Sequence, residues 1–263
     1  MFRFFLRSLL LLVTALPWLA VAVLVNGTEV DNWIDFIFGW PRENGTEGGI
    51  FPFIVNSFAI VLPAIVLAVT IAVPSALLFQ MTTARSVAMR SLIDLGASVP
   101  RLVWGVAGSL FFGSLLGLGI SAATGILTLT CLLAPILASN FIDSLSVERE
   151  KYLPVGRALG LTEWQSWTCI ILPVARPAMA LAIQAGLAKA LSDAAALYLT
   201  AGATLGILSS LDAPASTLAV QILMQLLEIG GGGKRAFAIS VVLLALVILI
   251  QTPLILSRID NRR

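Results

Sequence analysis

Residues 146–173 read SVEREKYLPVGRALGLTEWQSWTCIILP, a charged island between two apolar runs. The run before it, Ile120 to Ile142, holds no charge, and the run after it, Val174 to Thr200, holds Arg176 near its start and then Lys189 and Asp193 deep inside. Apolar runs long enough to cross a bilayer, parted by short charged returns to water, describe a chain that threads a membrane.

The rest of the chain repeats this pattern. Of its 263 residues, 59% are hydrophobic and 11% charged, with a mean hydropathy of +1.00. Soluble domains carry about 25% charged residues, so a bilayer is the solvent this composition fits. Apolar runs occur at about 4–25, 50–79, 99–118, 120–142, 174–200 and 236–256. They predict an all-α, polytopic protein of six transmembrane helices. Residues 1–49 would form the first span and an outer loop. Residues 50–263 would form a five-helix core, with an inner loop at 143–173. The first run, with Arg3 and Arg7 before it, has some features of a signal peptide, but about 22 residues exceeds the usual 7–15-residue signal core. Ser216 to Ile229 is apolar at helical spacing within a mixed outer loop, 201–235.

Orientation follows from the bases. With the N-terminus inside, inner segments hold twelve: Arg3, Arg7, Arg85, Arg90, Arg101, Arg149, Lys151, Arg157, Arg176, Arg258, Arg262 and Arg263. Outer segments hold three, Arg42, Lys234 and Arg235. This bias predicts that both termini are cytoplasmic.

Several chemistries are excluded. The chain has no histidine, so His-based zinc sites and Ser-His-Asp triads are absent. Cys131 and Cys169 are 38 positions apart and form no ligand motif. Gly230 to Gly233 followed by Lys234 superficially resembles a phosphate-binding loop, but Glu228 stands at its first Gly and Arg235 at its Ser/Thr. The chain thus has no nucleotide site, implies no cofactor or metal, and has no feature for nucleic acid.

The inner loop carries a spaced motif. Gly160 is followed by nine residues, Ile170, one residue, and Leu172-Pro173, and is preceded by Ala158-Leu159. This resembles the signature of ABC importer permeases, E-A-A, three residues, Gly, nine residues, Ile, one residue, Leu-Pro. The E-A-A slots hold Pro154, Val155 and Gly156 instead. Trp164 and Trp167 are three apart, as if on one helix face. The resemblance implies a coupling helix that docks on an ATPase subunit, with Ala158, Leu159, Gly160, Trp164, Leu172 and Pro173 as its residues.

Other blocks sharpen the resemblance. Gly48-Gly49-Ile50-Phe51-Pro52 resembles the G-G-I-F-P of phosphate-specific permease subunits. Gly96 to Gly105 resembles their G-x-P-S-x-x-x-G, with Arg101 where Ser is usual. Ala188 to Gly202 is similar to A-R-x-x-G-E-T-A-P-L-L-L-T-A-G, and Leu218 to Ile222 to L-P-V-Q-I. The chain therefore resembles the MetI-like family of binding-protein-dependent ABC importer permeases, most of all its phosphate-specific members, over about residues 48–257. The resemblance implies a bacterial inner-membrane location, a partner ATPase, a second permease subunit, a periplasmic binding protein, and no catalysis by the chain itself. The family's Arg and Glu linked to phosphate transport fall on Lys189 and Asp193.

That pair also stands out physically. A charge at mid-membrane costs about 2.5–3.5 kcal/mol on insertion scales, and residues four apart share a helix face and can pair. A transport path and a structural ion pair both fit. A secondary transporter or channel that uses Lys189 and Asp193 as an ion relay is the alternative to an importer. An exposed inner helix with the loop's spacing argues against it.

Overall fold

A computed structural model describes residues 30–81, 86–227 and 233–260, together with 21, 22 and 25. The expected first span, Phe4 to Val25, lies outside the described residues apart from Val21, Ala22 and Val25, as do Gly230 to Gly232. The elements, in order, are α1 (Trp33–Phe38), a two-residue hairpin of β1 (Pro41–Arg42) and β2 (Glu47–Gly48), α2 (Phe51–Met81), α3 (Ser86–Ser98), α4 (Arg101–Gly108), α5 (Ala122–Ala158), α6 (Glu163–Ser166), α7 (Leu172–Leu191), α8 (Ala195–Thr200), α9 (Leu218–Leu227) and α10 (Gly233–Asp260). Wide π-helical turns, Ser109–Leu115 and Trp167–Ile171, extend α4 and join α6 to α7.

Among the described residues, four continuous helical stretches are long and apolar enough to cross a membrane: Phe51–Met81, Ala122–Ala158, Glu163–Leu191 and Gly233–Thr252. A further helix pair, apolar enough to cross only when taken together, is bent. Ala88–Ser98 and Arg101–Leu115 meet at 92°. The apolar run at about 99–118 is thus only part of this bent pair. The break falls at Val99-Pro100, because a proline ring forces the residue before it out of the helical region and offers no N–H.

Two further boundaries differ from expectation. The expected loop at 143–173 is mostly helix: α5 runs on to Ala158, and the next helical stretch begins at Glu163, not at Val174. Pro173 therefore sits inside a continuous helical stretch. Its missing N–H leaves the Cys169 carbonyl without its usual partner, and the π turn just before it absorbs the defect. At the far end the fifth run stops at Leu191, and α8 restarts it after Ser192–Ala194.

The long helix α5 is the central post. Ser121 caps it by accepting from the Thr124 N–H at 3.2 Å. Ala64, Ala68, Ala72 and Ala76 recur every fourth residue on α2 and are fully buried, a stripe of small side chains that lets α5 approach closely. The Thr130 hydroxyl donates to the Ala64 carbonyl at 3.3 Å, and the Gln80 amide donates to the Ile142 carbonyl at 3.0 Å. On another side α5 runs antiparallel to α6 and α7, with Gly156 beside Ser166 and Leu137 beside Gly186.

The segment 201–217 closes the N-terminal end of α5. The Ala122 and Ala123 N–H groups, which a helix start leaves without internal acceptors, donate to the Ala213 and Leu211 carbonyls, both at 2.9 Å. Asn56 of α2 fixes that segment. It is fully buried, donates to the Gly206 and Ser216 carbonyls at 2.9 and 3.2 Å, and accepts from the Leu208 N–H at 2.8 Å. Replacing Asn56 by Leu should strip all three bonds. At about 1–3 kcal/mol for each buried group left unpaired, a clear drop in the thermal unfolding midpoint of the detergent-purified protein is expected. An unchanged midpoint would show that this anchor carries no stability.

Candidate functional site

Four of the first group of expected site residues, Ala158, Leu159, Gly160 and Trp164, fall at the tip where α5 turns into α6. Gly160 takes φ +74°, a conformation that only glycine adopts without strain. Its N–H donates to the Arg157 carbonyl, and the Leu161 N–H donates to the Gly156 carbonyl, both at 3.0 Å. This is a helix stop of the Schellman type. Two residues on, Thr162 and Gln165 form a reciprocal capping box that starts α6, and Arg157 pairs with Glu163 across the turn. The tip is thus a rigid, doubly capped hairpin and not a loose loop.

Ala158, Leu159, Gly160 and Trp164 are exposed at this tip, Leu159 by 68% and Trp164 by 61%. Val155 beside them is 47% exposed, so an apolar ridge stands uncovered on a charged hairpin. Leu172 and Pro173 are half-buried further down the arms, away from the tip. Trp167 does not share Trp164's surroundings: it is 3% exposed and packs in the core. A shallow cavity of about 450 Å³ lies alongside, lined by Arg149, Glu150, Leu153, Pro154 and Arg157.

The departure from E-A-A now has a partial explanation. The arms cross most closely at Gly156, where a Cβ would lie 2.3 Å from Ser166 Oγ and 2.9 Å from its Cβ. An alanine at this slot does not fit these arms. Gly156→Ala should spread the hairpin and destabilise it by about 1–3 kcal/mol, the usual range for overpacking. A protease-accessibility comparison of the tip reads this directly, and equal cleavage rates would contradict it. Pro154 and Val155 are exposed, and nothing in the structure explains their identities.

The second group does not form the expected pair. Lys189 lies in the last turn of α7, but the helix ends at Leu191 and Asp193 falls in the break beyond it. Asp193 is 2% exposed. Its Oδ1 accepts from the Ala196 N–H at 3.1 Å, which starts α8, and its Oδ2 faces Arg101 Nε at 3.7 Å. Lys189 is exposed and makes no hydrogen bond or ion pair among the described residues.

Arg101 is the site residue that sequence reasoning missed. The count of bases puts it in an inner segment. In the structure it is the first residue of α4, immediately after the 92° bend. The α3–α4 stretch climbs along α5: Arg90 meets Asp143, Gly96 meets Pro135, and Gly108 meets Thr128. Arg101 therefore lies at the level of α5 residues 128–135. At 1.5 Å per residue that is roughly 9–20 Å from the start of α5, the middle of its uncharged run Ile120 to Ile142. The signal in the sequence was Pro100 at the head of that run, a weak one, since Pro63 and Pro74 of α2 and Pro135 of α5 lie inside unbroken helices.

No protein-family model matches the chain. In sequence it is 24% identical over 189 residues to the probable ABC transporter permease protein YqgH of Bacillus subtilis, covering 69% of this chain and 61% of that protein. It is 24% identical over 197 residues to phosphate transport system permease protein PstA 2 of Mycobacterium tuberculosis, covering 74% of this chain and 64% of that protein. The matched region spans less than two thirds of those relatives' own length. In structure it is similar to a chain of the inward-facing methionine ABC transporter MetNI, with a TM-score of 0.63 and 22% identity over 79% of this chain and 92% of that one. A chain of an amino acid ABC transporter superposes with a TM-score of 0.60 and 14% identity over 80% and 92%. Sequence and structure thus agree that this chain resembles ABC transporter permeases, phosphate permeases among them, and has the MetI-like permease fold.

Proposed function

We propose that the chain is a permease subunit of a bacterial ABC importer that moves phosphate or a related oxyanion into the cytoplasm. A separate ATPase docks on the α5–α6 hairpin tip, a second permease subunit completes the pathway, and a periplasmic binding protein delivers the substrate. Residues 50–263 form the transporting core, and residues 1–49 a peripheral span and outer loop. The observation that carries this reading is the tip itself. Leu159 and Trp164 stand in the open on a turn fixed by a glycine stop, a capping box and an ion pair. A rigid apolar ridge of this kind suits docking into a groove, because little conformational freedom remains to be lost on binding.

The positive-inside count supports an inner position for the hairpin. Moving Arg101 from the inner set to mid-depth leaves eleven inner bases against three outer ones, so the bias stands. In the proposed cycle, ATP-driven closure of two ATPase subunits moves the two hairpins. Each hairpin is continuous with α5 and α7, so the motion reaches the breaks at Pro100 and Ser192–Ala194 and opens the pathway to alternate sides. The direct test is co-expression with a candidate ABC ATPase from the same genome. A stable complex that takes up labelled phosphate with ATP is expected. A chain that purifies alone and transports without an ATPase would favour the secondary-transporter reading.

A further inference from the structure

Among the described residues, Arg90 and Arg101 each pair with aspartate, and they do so differently. Arg90 uses its whole fork: Nε donates to Asp94 and Nη1 to Asp143, both at 2.8 Å, and Nη2 donates to Ser139 at 3.2 Å. Here an arginine locks α3 to α5. Arg101 makes no hydrogen bond among the described residues, and its one ion pair is 3.7 Å long through Nε. Charge-assisted bonds built to hold are typically 2.7–2.9 Å and often bidentate.

The Arg101 pair is also lopsided. The Asp193 side chain is 1% exposed and the Arg101 side chain 44% exposed. Asp193 Oδ2 is buried and accepts no hydrogen bond, while Oδ1 is held by the Ala196 N–H. The carboxylate is therefore held, and the guanidinium leans on it through Nε alone, with Nη1 and Nη2 making no hydrogen bond among the described residues. The α4 helix starts at the same place, and no side chain caps it there. Its first N–H groups and dipole add positive potential beside the guanidinium. The two broken stretches of the fold, at Pro100 and at Ser192–Ala194, meet at this pair.

We propose that Arg101 is the oxyanion-contacting, specificity-determining residue of the pathway. Asp193 is its placeholder, holding the guanidinium at mid-depth until a tetrahedral oxyanion engages the fork. This rests on the importer reading above. A carboxylate at 3.7 Å on one nitrogen is readily displaced by an anion that presents two oxygens to the planar fork. It also keeps Arg101 from standing unpaired at mid-membrane when the pathway is empty.

The test is uptake of labelled inorganic phosphate by the assembled transporter, with sulfate as a second probe and ATPase co-purification as the check on assembly. Arg101→Gln should lower uptake roughly a hundredfold. Arg101→Lys, which keeps the charge and loses the fork, should raise KM for phosphate about tenfold and narrow the preference over sulfate. The decisive variant carries Arg101→Gln and Asp193→Asn together. A structural pair tolerates loss of both charges better than loss of one, so restored uptake with the original KM in the double variant would overturn the proposal. Uptake as low as in Arg101→Gln alone is the expected result. If the double variant does not assemble, Arg101→Lys decides, and an unchanged KM and selectivity would overturn it. Failure of the unsubstituted transporter to take up either anion would count against the importer reading itself, and separately from these variants.

Discussion

Trp164→Glu should yield a permease that folds and inserts but no longer holds its ATPase. Trp164 is 61% exposed at the hairpin tip, so the substitution leaves no cavity behind. The turn beneath it is fixed by bonds that do not involve the indole: Thr162 with Gln165, Leu161 to Gly156, and Arg157 with Glu163. Stability should therefore stay within about 0.5 kcal/mol, as for most surface changes. Docking is different. An aromatic anchor seated in a partner's groove contributes about 2–4 kcal/mol, which weakens the complex roughly 30- to 700-fold when lost, and a buried carboxylate adds a desolvation penalty. Co-purification of the ATPase from detergent should fail and uptake should fall to background, with the thermal midpoint unchanged. Retained ATPase binding would show that the tip is not the docking surface.

Lys189→Gln should have the opposite profile, with the ATPase bound and uptake abolished. The argument turns on where the free energy lies. An ionised lysine at mid-membrane costs about 2.5–3.5 kcal/mol on insertion scales; Lys189 lies in the last turn of an apolar helix, and its side chain makes no hydrogen bond or ion pair among the described residues. It therefore contributes no structural bond that its removal would break. A neutral side chain of similar length should leave the thermal midpoint unchanged or raise it. A positive charge kept at a cost and without a structural partner is suited to a passing anion. The measurement is labelled phosphate uptake together with ATPase co-purification. Uptake at the level of the unsubstituted protein would remove Lys189 from the pathway.

Much of this was legible in the sequence, and the gaps have physical reasons. The apolar runs gave the membrane class because composition alone excludes water as solvent. The spacing from Gly160 to Pro173 identified the tip because a left-handed glycine leaves a local trace. Leu172 and Pro173 matched in sequence, yet they sit down the arms, since spacing along a helix does not say which turn is exposed. The partner of Asp193 was hidden for a different reason. Four residues along an unbroken helix would bring Lys189 and Asp193 together, but the helix ends between them. Asp193 then uses one oxygen to start α8 and turns the other to a residue 92 positions earlier. Such a long-range partner leaves no periodic signal. Only Pro100, a break in an apolar run, hinted that Arg101 lies inside the span. The close approach of Gly156 to Ser166 was equally hidden, because it depends on how two arms cross.

The central claim is that this chain carries an oxyanion under the drive of a borrowed ATPase. The most direct measurement is phosphate uptake into proteoliposomes that contain the chain, its second permease, the ATPase and the binding protein. The drive is switched between ATP and an imposed ion gradient. Uptake with ATP, none with the gradient alone, and none when the ATPase is omitted is the expected result. Uptake that follows the gradient and persists without the ATPase would contradict it.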